Sequence, residues 1–520
     1  MLYQIYICIA LSVLFFRLAF PIFVFPFFAF VALIPLLCIG QKALDLKLQK
    51  MKAWAHIWLG LVLMNVSVLY WSFVDTPIGS TILCIGNGFC MSLPFALWLV
   101  FYTRLEQTLG KVLAYLSFVF FWVAIESLRF YGDFAFPWLT LGNCFATLPT
   151  LVQWYSYTGV LGGSFWIVCL NILIFIGLQG ILPTQQAIKL GIGIFILPTV
   201  VSFGLLFSQN KSEEKRSILI LHPSMKRYGN MASNGYQQAE KLTHTITQHI
   251  TPQTSYILLP ETAMQNKNWV HLLSAHLPTQ NFRKLLQKYP NAHLITGTIT
   301  SEYTPQHLEA TKEIGTTRYY KTYNNVMQIT KDTTIQMRSK EKLVPYEERR
   351  PHYLRWFDNV YFYWGGEDWN YTYPDYTQPA TFYHNNRQEN VLPLICYESV
   401  FYEFAAQKTD AKTGFITCSA NEIWYTQTEG AEQAYLFCKI LAICTRKYIA
   451  RSSDFGVSCL IDTYGNTLLK ESGKKPAIIN TILEVHYETT FFTCYGDWVG
   501  KICLTISFLV ICFLYFFRKK

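Results

Sequence analysis

PLICYESVF, residues 393–401, is an apolar run that ends in a cysteine, with a tyrosine and a glutamate directly after it. The run reads as a buried strand, and residues 398–408 after it read as a helix. Cys396 then stands where a strand turns into a helix. Two readings are open on these residues alone. Free cysteine is among the most buried residue types, which makes Cys396 core packing. A thiol held at such a turn is equally the geometry of a nucleophile.

Working outward, residues 211–490 alternate strand and helix patterns. Short apolar runs at 217–222, 255–260, 293–298, 391–397, 414–419 and 458–462 read as buried strands, and 235–250, 398–408 and 430–446 as helices. This pattern predicts an α/β or α+β layered domain with strands sandwiched by helices. The stretch 346–390 has little periodicity and many Tyr, Trp, Gly and Pro, so it reads as long loops of the kind that carry function.

The flanks are different. The chain of 520 residues is 52% hydrophobic and 17% aromatic, yet only 15% charged, against about 25% charged in soluble domains. The deficit lies in the first 210 residues and the last 30, which form apolar stretches near the roughly 20 residues needed to cross a bilayer. They predict spans at 3–20, 22–40, 54–73, 79–102, 112–130, 152–180, 190–208 and 495–517. The first lacks the basic start and small-residue cleavage site of a signal peptide. Lys42, Lys47, Lys50, Lys52, Arg104, Lys111, Lys189 and the final Arg518, Lys519 and Lys520 fall on one side of alternating spans. The positive-inside rule makes that side cytoplasmic, although Arg17 and Arg129 sit on the other. Seven spans before residue 211 therefore place the middle domain across the membrane from the cytoplasm.

The net charge of +10 is explained by these orienting residues and solvated surface, and no nucleic-acid-binding signature accompanies it. The 14 cysteines include no CxxC pair, and the 11 histidines form no HExxH, so neither metal nor cofactor is expected. Cys396 is expected outside any disulfide.

Three segments concentrate reactive side chains: ILLPETAM (257–264), RSKEKLVPYEE (338–348) and PLICYESVF. Each has an ordinary reading: Glu261 as a helix-start carboxylate, and the Lys and Glu residues near 340 as a solvated loop. In order and spacing, however, they match a Glu–Lys–Cys constellation, and the domain resembles the nitrilase (carbon–nitrogen hydrolase) superfamily. That resemblance implies an αββα sandwich in which Glu261, Lys340 and Cys396 are catalytic. It selects Lys340 over Lys342, because the lysine of the pattern stands two positions before a basic-Leu pair.

Seven spans before such a domain and one after it resemble the apolipoprotein N-acyltransferase family more narrowly. LVPYEE, the Tyr397–Glu398 pair, FPWLTLGN (136–143), TYNNV (322–326) and NEIW (421–424) carry this resemblance. It implies supporting roles for Glu348, Tyr397 and Glu398, and substrate-binding positions at Tyr228, Pro137, Trp138 and Trp364. Departures are Glu347 in place of glycine, Tyr228 in place of tryptophan, and Ala434, Leu441 and Cys444 in the helix 430–446.

The implied organisation is a seven-span membrane domain (1–210), a periplasmic nitrilase-like catalytic domain (211–490), and an eighth span with a basic cytoplasmic tail (491–520), in a bacterial inner membrane. The implied reaction moves an acyl chain from a membrane phospholipid to Cys396, then to the α-amine of a diacylated apolipoprotein. Alternatives on the same residues are a membrane-anchored amidase that uses water, and a non-catalytic transporter or scaffold. The aromatic loop 354–376 reads either as a cover for a lipid path or as an interfacial belt.

Overall fold

The computed structural model describes residues 2–22, 25–46, 49–74, 76–132, 135–208, 212–224, 235–305, 310–312, 315–345, 347–349, 371–374, 378–384, 387–423, 429–473 and 475–516. The chain divides into two compact units, Met1–Gln209 with Cys494–Lys520, and Asn210–Thr493.

In the first unit, eight helical stretches among the described residues are long and apolar enough to cross a membrane: Leu2–Ala19, Pro26–Asp45, Lys50–Val74, Pro77–Leu109, Lys111–Leu128, Tyr155–Leu178, Thr184–Phe207 and Trp498–Phe516. This is a membrane protein. Several helices run past the spans predicted from sequence, the fourth and seventh by the most. The fourth ends at Leu109 rather than 102, and the seventh starts at Thr184 rather than 190. The added turns carry Arg104 and Glu106, and Gln185, Gln186 and Lys189. Hydropathy registers only the apolar part of a helix, while backbone hydrogen bonding continues into its polar ends.

Inside a bilayer every freed backbone group needs an internal partner. The second span supplies an example, because it breaks between a 3-10 segment, Pro26–Phe30, and the helix Ile34–Asp45. Asn171 bridges the break, accepting from Leu33 N at 3.0 Å and donating to Ala29 O at 2.8 Å. Asn87 likewise donates to Asn65 at 2.6 Å, tying the fourth span to the third.

The second unit contains fourteen strands among its described residues. The first seven are β1 (Lys215–His222), β2 (Thr254–Leu258), β3 (Met264–Trp269), β4 (His293–Thr304), β5 (Thr311–Lys312), β6 (Tyr319–Ile329) and β7 (Ile335–Ser339). The rest are β8 (Phe382–His384), β9 (Glu389–Ile395), β10 (Thr413–Asn421), β11 (Ile449–Asp454), β12 (Val457–Ile461), β13 (Thr467–Ser472) and β14 (Ala477–Glu484). One sheet has the order β14-β1-β2-β4-β6-β5, with β3 on β4 and β7 on β6; the other runs β13-β12-β11-β10-β9-β8. The central strands β1-β2-β4 and β9-β10-β11 are parallel.

Strand β1 shows why its sequence is apolar throughout. Ile218 and Ile220 face the second sheet, in a core with Val391, Ile395, Phe415 and Leu460. Leu219 and Leu221 face outward, against Leu242 and Ile246 of the helix Gly235–His249 and Phe282 and Leu286 of the helix Leu277–Lys288. A strand buried on both faces loses the polar alternation of a half-exposed one. The helices Tyr402–Lys408 and Glu429–Thr445 pack beside the second sheet and complete a four-layer αββα sandwich.

Candidate active site

The two sheets are stitched together at the carboxyl ends of their parallel strands, where open α/β sheets place ligands. Ser419 Oγ donates to Leu259 O at 2.9 Å and Asn421 Nδ2 to Thr262 Oγ1 at 2.8 Å. Glu261 lies in this seam, just past β2, and is buried. β4 passes close beside it at Gly297, whose N–H donates to Pro260 O at 3.1 Å. A side chain at 297 would collide with the Glu261 backbone, so glycine is required there.

Lys340 follows β7, whose pairing with β6 sets Ser339 against Asn325. Its N–H then donates to Asn324 O at 2.7 Å. The buried ammonium donates to Glu261 Oε1 at 3.0 Å and to Glu348 Oε1 at 2.7 Å. Asn324 Nδ2 donates to the same two oxygens, at 2.8 and 3.1 Å. The other oxygen of Glu348 accepts from Val344 N at 2.8 Å. Glu261 Oε2, by contrast, accepts no hydrogen bond among the described residues. Lys342 sits apart, its ammonium 5.1 Å from the centre of the Phe401 ring and 5.5 Å from that of Phe404.

Cys396 follows β9 from the other sheet. Its φ is +45°, a left-handed conformation uncommon outside glycine. The residues after it differ from the sequence expectation. A 3-10 turn, Cys396–Val400, intervenes, and the α-helix starts only at Tyr402. The cause is Glu398, whose carboxylate folds back to accept from Ile395 N at 3.0 Å, while Ser399 Oγ donates to Cys396 O at 2.8 Å. The seven-residue helix beyond has little dipole to offer the thiol.

Burial pushes the Cys396 thiol up from its ordinary range; Glu261 adds to the rise and Lys340 opposes it. Burial therefore favours the thiol over the thiolate at Cys396. Burial alone would favour loss of the Lys340 proton, but Glu261, Glu348 and Cys396 outweigh it and hold the ammonium well above its usual range. Burial also raises Glu348; Lys340 lowers it and Glu261 raises it. The structure thus joins Glu261, Lys340 and Glu348 by hydrogen bonds, and the charges of all three act on Cys396.

Tyr397 is buried, with its ring 5.1 Å from Phe401, and Glu398 is fully buried. Pro137 and Trp138 are buried in the membrane unit, where Trp138 packs on Trp71 at 5.4 Å. Tyr228 and Trp364 lie outside the described residues, as does most of the aromatic loop 354–376. Leu441, Cys444 and Ala434 are buried on the helix Glu429–Thr445, and Cys396 is a free thiol. Two residues that the sequence reading gave no role stand out: Asn324 and Arg338. Their signal was polarity inside buried strands, at the paired asparagines of TYNNV and the arginine two positions before Lys340.

Residues 12–173 match the family described as the apolipoprotein N-acyltransferase N-terminal domain, and residues 224–482 match carbon-nitrogen hydrolase. A protein of Chlorobaculum tepidum named apolipoprotein N-acyltransferase is 23% identical over 508 residues, covering 93% of this chain and 92% of its own. The chain belongs to the apolipoprotein N-acyltransferase family. A Rickettsia prowazekii protein of the same name is 22% identical over 440 residues, covering 81% of this chain and 82% of its own. Among solved structures, Saccharomyces cerevisiae Nit3, of the nitrilase superfamily, aligns with 53% of this chain and 92% of its own at 15% identity, with a TM-score of 0.36.

Proposed function

We propose that this chain transfers a fatty acyl group from a membrane phospholipid, through a thioester on Cys396, to the N-terminal α-amine of a diacylglyceryl-cysteine apolipoprotein. The observation that carries the reading is a backbone-strained cysteine under the charges of a Glu261–Lys340–Glu348 cluster, in a chain with eight membrane-length helices among its described residues.

In the first half-reaction Glu261, through its open oxygen, takes the Cys396 proton as sulfur attacks the ester carbonyl. Lys340 stabilises the oxyanion, a contribution worth about 100- to 1000-fold per donor. The carbon–oxygen bond then breaks, and Glu261 returns the proton to the departing lysophospholipid alkoxide. In the second half the acceptor amine attacks the thioester and Glu261 takes its proton. The carbon–sulfur bond breaks, and the thiolate recovers that proton. Glu348 and Asn324 hold Lys340 and Glu261 at their spacing throughout. Tyr397 and Glu398 shape the nucleophile turn, and Pro137, Trp138, Tyr228 and Trp364 remain the candidate substrate contacts.

The basic loops favour a periplasmic position for the domain that bears Cys396, in a bacterial inner membrane. The reading is tested by incubating the purified full-length chain with acyl-labelled phospholipid. Label should appear on Cys396, be released by hydroxylamine, and pass to a diacylated lipopeptide. Release to water at the same rate with or without the lipopeptide would instead make the protein a hydrolase.

A further inference from the structure

Arg338 lies on β7, two residues before Lys340, and is fully buried. Its guanidinium grips Glu398, two residues after Cys396, with Nη1 to Oε2 at 2.8 Å and Nη2 to Oε1 at 3.0 Å. Nη1 also donates to Pro393 O at 2.7 Å, on the strand that delivers Cys396. The same Glu398 carboxylate accepts from Ile395 N at 3.0 Å and from Glu341 N at 2.7 Å. One carboxylate therefore binds the residue just before Cys396 and the residue just after Lys340. A second tie backs it: Gln378 exchanges two hydrogen bonds with the backbone of Ser339, at 2.7 and 3.0 Å.

β7 belongs to one sheet and β9 to the other, so no ladder sets the spacing between Lys340 and Cys396. We propose that the Arg338–Glu398 pair is a positioning clamp for acyl transfer, setting the reach from the Lys340 ammonium to the carbonyl held at Cys396. The pair acts through geometry: the charges that lead in acting on the thiol are those of Glu261, Lys340 and Glu348. Bidentate geometry is what arginine offers and lysine does not. The clamp also holds the left-handed turn at Cys396, through the Glu398–Ile395 bond. This inference rests on the acyl-transfer reading above.

A purely structural pair and a positioning pair respond differently to neutralisation. Removing one partner of a buried pair strands a charge, whereas replacing both often restores stability. The test compares wild type, R338K, R338M and R338M/E398Q, all full-length. Each is assayed for Tm, for single-turnover formation of hydroxylamine-sensitive label, and for kcat and KM with phospholipid. A displacement of about 1 Å costs on the order of 100-fold, so R338M should lose about that much kcat, with KM within about twofold. R338M/E398Q should recover Tm but not kcat. R338K keeps the charge, so its Tm should fall less than that of R338M, while the loss of the fork geometry should lower kcat by about 10-fold. Recovery of kcat together with Tm in the double variant would overturn the clamp, as would a folded R338K with wild-type kcat. A wild-type chain that takes no label overturns the acyl-transfer reading and the clamp with it, whereas the clamp alone fails only against a labelled wild type.

Discussion

Strand β9 has a buried carboxylate cluster at each end, and the two are built differently. At its start, Glu389 is fully buried with both oxygens taken: Oε2 accepts from Arg216 Nε at 2.8 Å, and Oε1 from Tyr256 Oη at 2.6 Å. At its far end, two carboxylates share one lysine and one asparagine, and one oxygen of Glu261 accepts nothing among the described residues. The backbone does not separate them: a left-handed residue flanks each end, Gln388 at φ +50° before Glu389 and Cys396 at φ +45° after Ile395, so the contrast lies in the carboxylates. A saturated carboxylate has spent its capacity on structure. An unsaturated one beside a protonated thiol still has a proton to move.

The largest effect expected from breaking this contrast is at Cys396. Cys396→Gly should remove all hydroxylamine-sensitive label while leaving Tm at or above wild type. Glycine occupies a left-handed φ freely, whereas other residues lose about 1 kcal/mol there. A coincident collapse of Tm would show that the cysteine is packing. Next comes Lys340→Met, which should lower turnover by about 100- to 1000-fold. It also removes the charge that opposes the rise of Glu348. Glu348 then binds its proton more tightly folded than unfolded, where a glutamate titrates near about 4.3. That contribution is present at low pH and lost as pH rises through the folded pKa. The variant should therefore lose stability relative to wild type on going from acid to neutral pH, as read by Tm against pH. Glu389→Gln inverts the pattern. It should cost about 2 kcal/mol of stability, by weakening bonds to a charged group, with kcat of the folded protein unchanged.

The sequence made one end of β9 readable and left the other dark. Glu261 and Cys396 each follow an apolar strand, and breaks of pattern are visible in a string of letters. The membrane spans were visible for the same reason, except where polar turns extend them. Lys340 follows the mixed strand β7, Ile-Gln-Met-Arg-Ser, and is legible only through the family resemblance. Arg338 and Asn324 were not assigned roles, because their meaning depends on the register of β6 against β7 and on which sheet faces which. The 3-10 turn after Cys396 was missed because Glu398 looks like a helix-start acid until its carboxylate is seen to bind back to Ile395. The Glu389 cluster gave no signal at all. Its members lie on β1, β2 and β9, and only the sandwich brings them together.

The smallest expected effect comes from two histidines beside that cluster. His293 and His384 are buried and stacked, with ring centroids 3.8 Å apart and planes 5° from parallel. Tyr256 packs edge-on against both, and Arg387, Arg216 and Glu389 supply the nearby charges. Burial, then the neighbouring ring and Arg387, lower His293 to about 3; burial and Arg387 lower His384 to about 4. In the unfolded chain both titrate near about 6.5. Between these limits the unfolded chain binds protons that the folded chain refuses, so stability rises with pH. The stack's contribution is complete above about 6.5 and is lost as pH falls toward 4 and then 3. Glu348, raised in the folded state, works in the opposite direction over part of this window, so the wild-type slope alone does not isolate the histidines. His384→Phe does, because phenylalanine keeps the stack and removes one titrating group. Its Tm should fall less steeply than that of wild type between pH 6.5 and 4, with kcat unchanged at neutral pH. Superimposable Tm curves for the two proteins would mean that His384 takes up its proton without unfolding.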